Sequence, residues 1–186
     1  LTVTGTSSFT TSDSNATITL DQANAFNGAV SLNTQGSSGN ATVVDASGLD
    51  FGASAVGGAL SATATTGDIS DSGTLTITGA ATFITTAANR HIILDESDSV
   101  FASTVTMQAG NGSNAAFGNI TFVDSAAVKL HTSAGTNGDL FIDGHPDRAV
   151  GGNLSITATT GNITQGAAVT VTGTSSFTTL ATDADI

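Results

Sequence analysis

Short runs in which apolar and small polar residues alternate recur along the chain: "LTVT" at Leu1–Thr4, "TITL" at Thr17–Leu20, "AVSL" at Ala29–Leu32, "LTIT" at Leu75–Thr78 and "NLSIT" at Asn153–Thr157. A period of two sends one set of side chains inward and the other outward, so each run predicts a half-buried β-strand. Leu1 and Val3 face the core in this reading, and Thr2 and Thr4 face solvent. Clusters such as "GSSGN" (Gly36–Asn40) and "GNGSN" (Gly110–Asn114) separate the runs. These residues accept tight-turn and left-handed backbone geometry. No stretch sustains a helical period, and the density of Thr and Gly opposes one.

The pattern repeats on a longer scale. "LTVTGTSSFTT", Leu1–Thr11, returns as "LTITGAATFIT", Leu75–Thr85, and again as "VTVTGTSSFTT", Val169–Thr179. The preceding segments match as well, "GALSATATTGDISDSGTLTITG" at Gly58–Gly79 against "GNLSITATTGNITQGAAVTVTG" at Gly152–Gly173. Self-similarity of this kind marks a stacked array. The chain reads as a single β-solenoid segment over 1–186, with repeats at 1–74 and 75–168 and a third copy opening at 169–186. Leu1 to Leu75 is 74 positions and Leu75 to Val169 is 94, and the difference of 20 gathers near 133–150, around "GTNGDLFIDGHPDR". An added coil there would leave the register of everything downstream intact.

These observations predict an all-β fold, a parallel β-helix of roughly ten coils of about 18–20 residues, forming a rod about 45–50 Å long. Each strand would pair with its equivalent one turn above, and so narrow a column would leave little core for aromatic rings. A β-sandwich is the rival architecture, and it gives no reason for a 20-residue insertion that preserves the downstream pattern.

Composition narrows the functional classes. The formal net charge is −12, with only 3 Lys and Arg, which argues against nucleic acid or an anionic membrane surface as a partner. Cys is absent, which excludes a disulfide framework and thiolate metal sites. No apolar run approaches the roughly 20 residues of a membrane-spanning helix. The chain starts without Met or a signal peptide and so reads as a processed or excised piece.

The run Gly-x-Leu-Ser-x-x-Ala-Thr-Thr-Gly-Asp/Asn-Ile, followed by Leu/Val-Thr-Ile/Val-Thr-Gly, resembles the repeats of filamentous-haemagglutinin-type adhesins and of large bacterial surface proteins rich in β-strand repeats. The resemblance implies a right-handed β-helix, export to the bacterial cell surface or beyond, and a role as an extracellular fibre, stalk or adhesin. It transfers no catalytic residue.

Several side-chain groups stand out within this frame. "LDESDS" (Leu94–Ser99) gathers Asp95, Glu96 and Asp98, oxygen donors of the kind calcium takes, but a solvated acidic turn is the favoured account, because the equivalent stretch "LDQANA" retains only Asp21. "DGHPDR" (Asp143–Arg148) sets Asp143, His145 and Asp147 around the sole proline and reads as turn chemistry of the extra coil. His91 and His131 are expected at an edge or surface. The pairs Thr2/Thr4, Thr17/Thr19, Thr76/Thr78 and Thr170/Thr172 would project outward, as an ice-binding array requires, though their copies recur only every 74 to 94 residues. No nucleophile with a base, phosphate loop or facing carboxylate pair is recognisable, so no catalytic, cofactor-binding or metal-ligating residue is assigned. The expectation is a non-enzymatic structural or adhesive segment that stacks end to end on itself, with host or cell-surface glycan as a further partner. An ice- or glycan-binding solenoid is the alternative.

Overall fold

The structure, a computed structural model, describes residues 1–110, 118–131, 139–142, 150–166 and 168–186. Among these there is no helix. The first strands in chain order are β1 (Thr2–Val3), β2 (Ser7–Ser14), β3 (Ile18–Phe26), β4 (Val30–Gln35), β5 (Ala41–Asp45), β6 (Leu49–Phe51) and β7 (Ser54–Val56). There follow β8 (Leu60–Ala64), β9 (Ile69–Asp71), β10 (Leu75–Ile77), β11 (Ala81–Thr85), β12 (Ile92–Leu94), β13 (Val100–Phe101) and β14 (Val105–Gln108). The last are β15 (Ile120–Asp124), β16 (Val128–His131), β17 (Asp139–Ile142), β18 (Leu154–Ala158), β19 (Ile163–Gln165) and β20 (Ser175–Thr179).

Every pairing between these strands is parallel. They build a β-solenoid with three walls. One wall is a nine-stranded sheet in the order β1-β3-β5-β8-β11-β14-β17-β16-β19. The second sheet forks at β4: a long wall runs β2-β4-β6-β9-β12-β15-β18-β20 and a short wall β4-β7-β10-β13. In mid-column a turn takes one strand from each wall, as β8, β9 and β10 do before β11 begins the next. A sandwich, with its antiparallel facing sheets, is excluded.

The long wall holds eight strands, giving about seven turns rather than ten. Registers along it, from Ser7 over Val30 to Leu154 over Ser175, set successive turns of 23, 21, 20, 23, 28, 34 and 21 residues. The corners are longer than an 18–20-residue coil allows, and a column of seven rises measures about 34 Å. Within 133–150, where the sequence places an extra coil, the described residues are β17 and Val150. β17 is set between β14 and β16 although it follows β16 in the chain.

The sequence copies do not lie over one another. Three turns carry Ser7 through Val30 and Phe51 to Asp71. The 74-residue repeat places the matching residue at Ala81, ten positions further and on a different wall. Phe9 and Phe177 therefore belong to the long wall, and their counterpart Phe83 to the nine-stranded one. Any wall accepts the phrase, because each requires only an alternating strand.

Strict alternation of burial follows: in β5, β8, β11 and β18 the first, third and fifth side chains are buried and the second and fourth are not. The interior carries more aromatic bulk than the composition predicts. Phe51, Phe83, Phe101 and Phe122 approach one another in series from different walls, with ring centroids 6.0, 6.2 and 5.0 Å apart, and Phe9 meets Phe26 at 5.9 Å. Each such pair adds about 0.5–1.5 kcal/mol to the burial of its surface.

Corners impose the tightest steric condition. Gly39, Gly58 and Gly79 precede β5, β8 and β11, and the N–H of each upper glycine donates to the carbonyl below at 3.0 Å. A Cβ on Gly58 would lie 2.8 Å from the Gly39 carbonyl carbon, and one on Gly79 would lie 2.5 Å from that of Gly58. Backbone cannot yield as a side chain does. The substitution Gly58→Ala is expected to cost about 1–3 kcal/mol in chemical unfolding, whereas Gly5→Ala, with nothing within 4 Å of the added methyl, leaves the midpoint unchanged.

Candidate functional site along the corners and open turns

A second ladder rises where the chain enters the long wall. The His91 N–H donates to Asp68 Oδ1 at 2.8 Å, the Asn119 N–H to His91 Nδ1 at 2.8 Å, the Asn153 N–H to Asn119 Oδ1 at 2.9 Å, and the Thr174 N–H to Asn153 Oδ1 at 2.9 Å. Each side chain thus accepts from the backbone one turn above, where the strand ladder has not yet begun. His91 is a half-buried structural rung at the entry to β12. The geometry requires its Nδ1 to be the unprotonated nitrogen, because a protonated Nδ1 would point a hydrogen at the Asn119 N–H. His131 ends β16.

The acidic turn Leu94–Ser99 is tied down in the same manner. The Asp95 N–H donates to Asp71 Oδ1 at 2.9 Å, and the fully buried Ser99 hydroxyl oxygen accepts the Leu75 N–H at 3.0 Å. Among the described residues no three carboxylates or imidazoles converge as a metal would require. Asp95, Glu96 and Asp98 are not gathered around a common point. Asp143, His145 and Asp147 lie outside the described residues.

The more unusual acids are inside. Asp45, Asp71 and Asp124 are buried at the ends of β5, β9 and β15. Asp45 is fully used: Oδ2 accepts the Phe26 N–H at 2.8 Å, while Oδ1 accepts the Ser47 N–H at 2.7 Å and its hydroxyl at 2.8 Å. Asp71 Oδ2 has no hydrogen-bond partner. Burial pushes the Asp71 carboxyl up to about 6; the Asp95 N–H opposes this, and the charges of Asp95 and Glu96 reinforce it. Burial raises Asp124 to about 6 as well, against the N–H groups of Ala126, Phe101 and Ser125.

The threonine pairs scatter over the walls: Thr2 is on β1, Thr19 on β3, Thr76 on β10, and Thr170 and Thr172 flank the isolated bridge from Val171 to Val150. They form no common array. A different one exists that sequence reading missed. Thr19, Thr42, Ser61, Thr82 and Thr106 follow one another in register on the nine-stranded wall, all facing outward. Their spacing of 23, 19, 21 and 24 residues hides this ladder from any search at fixed period.

Towards both ends of the column the core is flanked by half-buried side chains. Val3, Phe9, Leu20, Val169, Val171 and Phe177 are the partly buried apolar residues packed against it. On the last turn an open trough of about 330 Å³ is lined by Leu130, Ile163, Phe177 and Ile186 with Thr164 and Gln165.

A family described as repeats of unknown function matches residues 1–33, 38–108 and 117–186, nearly the whole chain. No curated protein matches, and no solved structure matches.

Two outcomes follow. His91→Asn, which places at this rung the residue already used at the next two, retains stability, whereas His91→Leu leaves the Asn119 N–H unpaired and costs about 1–2 kcal/mol in urea unfolding. For the acids, the ordinary value is 3.8 and the folded value about 6, so between these the folded state binds more protons and stability falls as pH rises. The excess stability is fully present below about pH 4 and lost by about pH 6. Melting temperatures from pH 4 to 7 should show this slope, flattened in the variant carrying Asp71→Asn and Asp124→Asn.

Proposed function

We propose that this chain, which belongs to the DUF5649 family of repeats, is a structural segment of a long extracellular bacterial β-solenoid of the filamentous-haemagglutinin kind. Its work is mechanical. The observation that carries the reading is that all strand pairs are parallel and that one hydrogen-bonded wall runs without interruption from β2 to β20. Such a column resists extension along its axis through many bonds loaded together, and its length grows by adding turns, each stabilised by its neighbours. The acidic surface, with a net charge of −12, favours side-by-side repulsion over clumping.

A second reading draws on the outward ladder Thr19, Thr42, Ser61, Thr82 and Thr106. Hydroxyls repeated about every 4.8 Å on a flat wall can hold ordered water or a repeating sugar. That would make the segment an ice- or glycan-binding module.

Electron microscopy and fibre diffraction of native material separate the two. Uniform fibres with an axial reflection near 4.8 Å, labelled by antibody on intact cells, are the expected result. Short discrete particles lacking that reflection overturn the fibre, and thermal hysteresis or glycan binding by such particles would establish the second reading.

A further inference from the structure

Among the described residues four corners carry one phrase, glycine, asparagine, an apolar residue and a hydroxyl: "GNAT" at Gly39–Thr42, "GNIT" at Gly118–Thr121, "GNLS" at Gly152–Ser155 and "GNIT" at Gly161–Thr164. The third residue, Ala41, Ile120, Leu154 or Ile163, opens a strand and is buried. Alternation then sets the asparagine and the hydroxyl on the outer side together, about 6–7 Å apart along the chain. Asn40, Asn153 and Asn162 are exposed and Asn119 is half-buried. Asn15 has Thr17 at the same spacing but is left-handed, with φ of 64°, and stands outside this phrase.

Each of the four asparagines is engaged at one atom only. Its Oδ1 accepts a backbone N–H from the turn above: Asn40 from Ala59 at 2.8 Å, Asn119 from Asn153 at 2.9 Å, Asn153 from Thr174 at 2.9 Å and Asn162 from Asp185 at 3.0 Å. The first three oxygens also press on the next glycine, where a Cβ would lie 2.3, 2.7 and 2.4 Å away at Gly58, Gly152 and Gly173. An N–H can be met only by the oxygen, so the amide nitrogen turns away from the turn above. Nδ2 of these four makes no hydrogen bond among the described residues. The rung itself does not demand asparagine, since Asp68 and His91 accept the same kind of bond. Where the strand presents Ile93 in place of a hydroxyl the rung is His91, whereas all four asparagine rungs have Thr or Ser two residues on. Asparagine at that spacing from Ser or Thr, with no proline between, is the acceptor sequence for N-linked sugar in exported proteins.

We propose that Asn40, Asn119, Asn153 and Asn162 are acceptors for N-linked sugar, so that the shaft carries glycan at its corners. The inference rests on the extracellular setting of the reading above and adds a modification to it. In the transfer, Nδ2 attacks the anomeric carbon of a sugar held on a diphosphate. A C–N bond forms as the C–O bond to phosphate breaks, the diphosphate leaves with the electron pair, and one Nδ2 proton passes to a base of the transferring enzyme. The carbonyl oxygen is not consumed. The rung bond therefore survives, and the sugar departs from the one amide atom that the ladder leaves unused. Because the residue between asparagine and hydroxyl is buried, the sugar is added before that turn closes, and the finished column has only to house it.

The test is mass spectrometry of the full chain recovered from the cells that make it, with electron-transfer fragmentation to assign each site. Hexose or N-acetylhexosamine increments are expected on the four asparagines and not on Asn24, Asn27, Asn33 or Asn89, which have no hydroxyl two residues on. Thr42→Val keeps a β-branched outer residue and the Asn40 rung, so it should lose the increment at Asn40 alone and leave the melting temperature unchanged. Thr42→Ser should retain it. In the opposite direction, His91→Asn combined with Ile93→Thr sets the asparagine and hydroxyl at another corner and should gain sugar at position 91, whereas His91→Asn alone should gain none. Four bare asparagines, sugar on the hydroxyls instead, or an increment at Asn40 that outlasts Thr42→Val would overturn the proposal. Surface fibres made of bare chain would sink the glycan alone, and a glycosylated chain that forms no fibres would sink the fibre reading alone.

Discussion

Every position in the column answers to one constraint: successive turns rise by a single inter-strand spacing, about 4.8 Å, and backbone groups find partners mainly in the turns above and below. The corners show how strictly it acts. Chain segments that meet without a ladder between them must either be glycine on glycine, as at Gly39, Gly58 and Gly79, or borrow a side-chain oxygen or nitrogen, as from Asp68 through His91 to Asn153. Walls vary in sequence because the ladder asks only for alternation. Corners vary in length because the ladder does not reach them.

The same condition explains why acids sit inside a column otherwise filled with Phe, Ile, Leu, Val and Ala. Where a strand ends before its neighbour does, N–H groups point inward with nothing to accept them. Asp45 takes up such donors with both of its oxygens, and an unpaired donor there would carry its own desolvation cost. Asp71 performs the task with Oδ1 and leaves Oδ2 bare, next to two further carboxylates in the turn above. Its raised affinity for a proton is the consequence of using an anion where an amide would suffice. The phenyl series lies on the same axis: rings enter it from different walls, and Phe83 is in register with the small Ala62 one turn below.

The architecture was legible in the chain because its signals are local. Alternation in "LTVT" or "NLSIT", glycine ahead of strands such as β5, β8 and β11 and the threefold phrase all survive without tertiary context. Turn length was not legible, since it is fixed by corners such as 86–91, whose size no periodicity controls. Consequently neither the wall of a given copy nor the Thr19–Thr106 ladder follows from the sequence, as both depend on summed corner lengths. The rung made by His91 was not legible because its use as an acceptor needs Asn119 placed one turn above it. The burial of Asp71 was hidden for a like reason. "DISDSG" reads as a solvent-facing turn until β9 is seen to carry its last residue inward.

The mismatch between repeat length and turn length has a consequence for how such a column meets its surroundings. A repeat of a whole number of turns would line up every copy along one meridian of the shaft. Here Phe9 and Phe83 belong to copies on different walls, so successive copies face different compass points. Anything displayed once per copy is thereby offered from more than one wall, so a shaft of this construction is not confined to a single displaying side.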